Sequence, residues 1–107
     1  SMSGKYSKNK GYRFEAEVVN TLRSWGISEK DCFRNPLSGA VKSHKGDVNL
    51  FSMIIEAKRF KSGMLKVEKA FEQDDADIVV YRQDHGVRRW VVGDAQFKLF
   101  LEWSKLL

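Results

Sequence analysis

A chain of 107 residues with 42% apolar side chains has the length of one domain and the composition of a globular protein, so residues 1–107 are expected to fold as a single unit. No apolar run approaches the roughly 20 residues that cross a bilayer, and no stretch reads as a signal peptide; neither a membrane span nor export is expected. The 19 basic and 14 acidic residues leave a net charge of +5, which favours a phosphate-bearing partner, while a single cysteine excludes an internal disulfide or a thiolate zinc cluster and suits a reducing cytoplasm.

Ser1 and Met2 are set aside as an expression scar or start. The polar stretch 1–10, with Lys5, Lys8 and Lys10, is expected to be a flexible basic arm. From Gly11 to Trp25 the residues Phe14, Val18, Val19, Leu22 and Trp25 recur at helical spacing, and Gly26 closes the segment. At 100° per residue those five fall within a sector of roughly 140°. Glu15 lies inside that sector and Glu17 opposite it. An acid on a buried face is costly unless it is paired or holds a metal, and an edge-of-core glutamate bonded to a lysine is an equal rival to the functional reading.

Asp31–Arg34 reads as a short strand containing Cys32, and Asn35 to Gly46 as a turn-rich loop. Asp47–Phe51 and a strand from Met53 to about Phe60 follow, with a tight reversal at Ser52. Met53-Ile54-Ile55 suits a central strand buried on both faces. A helix over Met64–Gln73, a strand Ile78–Tyr81, a turn at His85-Gly86 and a strand Trp90–Val92 come next. Asp94 is expected to cap a helix from Ala95 to Leu107. Its apolar residues cover most of the circumference, which points to a homodimer interface. The order of elements gives an α/β or α+β domain with a mixed sheet of about five strands flanked by helices.

Positive charge clusters at Lys5, Lys8, Lys10 and Arg13, at Arg34, Lys42 and Lys45, and at Lys58, Arg59, Lys61 and Lys66. Such clusters release counterions from a nucleic-acid backbone, although a solvated surface explains charge alone equally well. The chemistry gathers elsewhere. Residues two apart on a strand share a face, so Glu56 and Lys58 present a carboxylate beside an ammonium. Across the Ser52 reversal, Asp47 comes alongside Glu56, and the Ala57 carbonyl joins them. These hard oxygen donors suit magnesium, for which manganese can substitute. With Glu15 arriving from the first helix, directly or through water, and Lys58 steadying negative charge, the set is that of metal-dependent phosphodiester hydrolysis. Glu-x-Lys alone usually means a surface ion pair; the company of Asp47 and Glu15 raises it.

Other residues carry less. Gln73 reads as a surface residue, His44 as a loop residue near phosphate, and His85 as part of a turn. Glu72, Asp74, Asp75 and Asp77 read as a solvated helix end, because no calcium-loop spacing is present. Trp25, Trp90 and Trp103 read as core or interface.

The run Lys10-Gly11-Tyr12-Arg13-Phe14-Glu15-Ala16-Glu17, then Arg34 with Ser38-Gly39, then Gly46-Asp47-Val48 and Ile55-Glu56-Ala57-Lys58 resembles the archaeal-type Holliday junction resolvases of the PD-(D/E)xK nuclease superfamily. The resemblance covers residues 10 to 60. It implies a restriction-endonuclease-like fold, metal-linked acids at Glu15, Asp47 and Glu56, a catalytic lysine at Lys58, and DNA contacts from Ser38 and Arg34. It further implies a homodimer that cuts four-way junctions with magnesium, and the compact length suits a phage-encoded version acting in a prokaryotic cytoplasm. Gly46 stands where the superfamily's proline would, and the chain is shorter at its C-terminal end than typical resolvases. A nuclease acting on nicked, duplex or single-stranded DNA, and a non-catalytic DNA-binding module, are the alternatives.

Overall fold

The computed structural model describes residues 2–35 and 47–107, with side chains from Lys10 onward. It is a mixed α/β chain of three helices and five short strands, dividing into two compact units, Ser1–Arg59 and Phe60–Leu107. Among the described residues no helix is long and apolar enough to cross a membrane.

The first unit opens with α1 (Met2–Ser24). The helix thus begins in the stretch expected to be a flexible arm. That stretch contains no proline, and a glycine within a helix costs only about 1 kcal/mol, so nothing local stops the helix from extending upstream. Val19 and Leu22 are buried, Phe14, Val18 and Trp25 half-buried and Glu17 exposed, as the periodicity requires. Gly26 ends the helix at φ +113°, with its amide on the Arg23 carbonyl (3.0 Å) and the Ile27 amide on Leu22 (3.4 Å). This is a Schellman close, in which a left-handed residue lets two carbonyls be satisfied.

Strands β1 (Cys32–Arg34), β2 (Val48–Leu50) and β3 (Met53–Ile55) form an antiparallel sheet in that order. Cys32 faces Leu50, and Leu50 faces Met53. The reversal uses both Phe51 (φ 49°) and Ser52 (φ 69°) in left-handed backbone, the pattern of a two-residue hairpin turn matched to strand twist. Val48, Leu50 and Cys32 are fully buried; they form the core with Val19, Leu22 and Ile27 as α1 packs on β1. Arg23 secures that packing, its Nε and Nη2 donating to the Cys32 carbonyl at 3.1 and 3.0 Å. β3 corrects an expectation: among the described residues it is an edge strand, it ends at Ile55, and Met53 and Ile54 are 54% and 58% exposed. An apolar run reports β propensity and not the number of neighbours a strand has.

The second unit holds α2 (Leu65–Gln73), β4 (Ile78–Tyr81), β5 (Arg89–Val92) and α3 (Asp94–Trp103). β4 and β5 pair antiparallel, with Ile78 opposite Val92 and Val80 opposite Trp90. The five expected strands therefore occur in two antiparallel sheets, of three and two strands. α2 packs on β4, where Val79 is buried. Trp90 and Trp103 are exposed, so of the expected core or interface places they do not take the core one, while Trp25 is half-buried. In the turn before β5 it is His85, at φ 63°, and not Gly86 that takes the left-handed conformation. Asp94 likewise lies in the first turn of α3; the N-cap is Gly93, whose carbonyl accepts from the Phe97 amide at 3.0 Å. There the Asp94 charge favours the helix dipole without capping it.

Candidate active site

Asp47 immediately precedes β2, and three hydrogen bonds hold it. Its carbonyl accepts from the Asn35 amide (3.0 Å), its amide donates to the Ile55 carbonyl (3.0 Å), and its Oδ2 accepts from the Ala57 amide at 2.9 Å. Continuing the ladder by one residue would set Asp47 opposite Glu56. The amide instead meets Ile55, which already pairs with Val48, so Asp47 is an extra residue on the β2 side, as in a bulge, and the regular register stops there. The Asp47 carboxylate then takes up the next amide, that of Ala57. Ala57 thus meets Asp47 through its N–H, whereas strand geometry read from sequence had pointed to its carbonyl.

Glu15 comes from the buried face of α1, its side chain 14% exposed, and its Oε2 accepts from Arg34 Nη2 at 3.1 Å. Burial pushes the Glu15 carboxyl above its ordinary value; the Asp47 carboxyl, close enough to act as both like charge and hydrogen-bond partner, pushes the same way, and Arg34 opposes both without prevailing. The Arg34 guanidinium also lies over the Tyr12 ring, 3.8 Å from its centroid. Tyr12 and Glu15 are three residues apart on α1 and so share a face. One strand arginine therefore touches an aromatic face and a carboxylate from the same helix.

Glu56 and Lys58 lie beyond the end of β3 yet remain side by side, Nζ to Oε2 3.7 Å, with side chains 56% and 67% exposed. Glu56 is directed to Lys58. Among the described residues no three His, Cys, Asp or Glu side chains form a group able to enclose a metal. What the fold does bring together is the pair Glu15 and Asp47, from elements 32 positions apart. Two carboxyls near enough to act on one another, offering only hard oxygens, suit a magnesium-type cation, which takes one or two carboxylates and keeps most of its water.

Of the basic residues, Lys10 is half-buried, and Arg13, Arg59 and Lys61 are exposed. Ser38, Lys42, His44 and Lys45 lie outside the described residues, as do the side chains of Lys5 and Lys8. Gln73 is exposed at the end of α2, and Glu72, Asp74, Asp75 and Asp77 are exposed around it. Sequence reasoning missed the Arg34–Glu15 pair, treating Arg34 as a DNA contact and expecting a lysine as the structural partner. The signal was present: an inward-facing acid requires a cation, and arginine is better suited than lysine to a part-buried ion pair. Comparison of the chain with protein-family models, with curated proteins and with solved structures finds no match.

Proposed function

We propose that this chain is a magnesium-dependent, structure-selective DNA endonuclease of the PD-(D/E)xK type, acting on Holliday junctions or other branched DNA. The observation that carries this reading is the Asp47 carboxylate, bonded at 2.9 Å to the amide between Glu56 and Lys58 and near enough to Glu15 to raise its carboxyl. A carboxylate that joins a helix acid to a Glu-x-Lys pair is what metal-dependent phosphodiester cleavage needs. Glu15 and Asp47 would hold the cation, and Glu56 would add a ligand, directly or through water. Lys58, on a flexible stem beside Glu56, orients the attacking water or steadies charge developing on the phosphate. The bound cation supplies charge relief and a lowered pKa for water. Attack forms one P–O bond and breaks another, releasing a strand end.

Several further elements belong to this reading. DNA would be held by Lys5, Lys8, Lys10, Arg13, Arg34, Ser38, Lys42, Lys45, Arg59 and Lys61. A homodimer would set two sites against opposite strands, using apolar surface such as Trp103, Leu106 and Leu107, all exposed here. The restriction-endonuclease-like form of the fold and a location in a prokaryotic or phage-infected cytoplasm follow from the same proposal.

The test is a denaturing-gel assay with labelled four-way junction, matched duplex and single strand, each with magnesium or chelator, beside Glu56→Ala. The expected outcome is symmetric, magnesium-dependent cutting of the junction, lost in the variant. Equal cutting of all three substrates would keep the nuclease and remove junction selectivity. No cutting of any would leave a DNA-binding module.

A further inference from the structure

Among the described residues, Arg34 Nε is the only buried side-chain nitrogen or oxygen without a hydrogen-bond partner. The rest of the same guanidinium is well engaged, with Nη2 on Glu15 at 3.1 Å and the plane over Tyr12 at 3.8 Å. A charged donor left unmade in a part-buried place is a debit that a settled structural ion pair would not carry. The two contacts also differ in kind. The bond to Glu15 depends on that carboxylate's charge, whereas stacking on Tyr12 does not depend on Glu15.

We propose that Arg34 is an exchangeable counter-ion: it neutralises Glu15 while the Glu15–Asp47 pair holds no metal, and on metal uptake it leaves Glu15 to take a phosphate oxygen of DNA. The inference rests on the reading that this acid pair holds a divalent cation. A cation bound there supplies the positive charge that Arg34 otherwise supplies, and repels the guanidinium. As the metal takes up the Glu15 charge, the attraction holding Nη2 weakens. The Tyr12 face keeps the guanidinium at the site, where its planar fork matches the paired oxygens of a phosphate. Metal and DNA binding thereby become coupled through one side chain, and by linkage each strengthens the other.

The experiment titrates manganese into the full chain, wild type against Arg34→Met, following the free ion by electron paramagnetic resonance. With its competitor removed, Arg34→Met should bind manganese roughly five-fold tighter or more, the lower end of ordinary site coupling. Calcium, which should not support cleavage, should tighten duplex binding by the wild type and not by Arg34→Met. A folded Arg34→Met that binds manganese no tighter than wild type overturns the exchange. Should that variant fail to fold, the Arg34 ¹⁵Nε resonance of the wild-type protein is followed on adding magnesium: a shift supports the exchange, and an unmoved resonance at saturation overturns it. Manganese binding that Glu15→Gln weakens, together with cleavage, but without tightening in Arg34→Met, removes this inference and leaves the nuclease. Manganese binding indifferent to Glu15→Gln removes the acid-pair metal site and this inference with it.

Discussion

Glu15 shows how one side chain's surroundings become a measurable property. Its carboxyl is raised above 4.5 by burial first and by Asp47 second, so the folded protein holds a proton that the unfolded chain releases earlier. Stability from this group is therefore greatest below about the ordinary carboxyl range and is lost as pH climbs from 4.5 through the raised value, because the unfolded state binds fewer protons there. Glu15→Gln cannot titrate. In chelator, urea melts at a series of pH values should show the wild type losing stability relative to Glu15→Gln as pH rises above 4.5. A constant difference would mean that the Arg34 pair fully offsets the burial. The Glu15 position itself was readable, since helical spacing alone sets it among Phe14, Val18 and Leu22. Its partner was not, because Arg34 is 19 positions away and nothing local joins them.

The three helix ends share one device. Gly26 after α1, Asp75 after α2 and Lys105 after α3 all sit at positive φ, of 113°, 49° and 61°. In each case the next amide reaches back five residues: Ile27 to Leu22, Ala76 to Phe71 and Leu106 to Leu101. Only the first uses glycine, the residue that takes this conformation without steric cost. Lys105→Gly should accordingly stabilise the protein by about 0.5 kcal/mol, the relieved strain exceeding the added freedom of the unfolded chain, whereas Gly26→Ala should destabilise it by about 1 kcal/mol. Thermal melts of the two variants should move in opposite directions; a lower melting temperature for Lys105→Gly would deny the strain. The closing glycine of α1 was legible from sequence. The other two ends were not, since neither aspartate nor lysine marks a left-handed position.

At the scale of the whole molecule the net charge of +5 becomes a statement about salt. If the proposed DNA binding uses the basic loop, Lys42→Ala with Lys45→Ala should reduce the slope of log affinity against log salt by about two, one for each phosphate that the lysines no longer neutralise. An unchanged slope would exclude those contacts. The same scale bears on the two sheets. Element order suggested about five strands in one mixed sheet, and five strands are present in an α/β chain, divided three and two. Trp90, Met53 and Ile54 are exposed; a residue's pattern states which side of a strand it is on and not what covers that side.

The sequence alone determined the features that short-range physics controls. These are the amphipathic face of α1, the reversal at Ser52, the strand position of Cys32, the order of helices and strands, and the nearness of Glu56 to Lys58. Each depends on a few neighbouring residues whose spacing and backbone preferences are local. Only the tertiary structure decided that Arg34 answers Glu15, that Arg23 holds the Cys32 carbonyl, that β3 stops where the Asp47 amide meets Ile55, and that Asp47 binds the Ala57 amide. Those contacts form when burial brings distant segments together and each polar group that loses water must find a partner, and which partner is nearest depends on the packed chain.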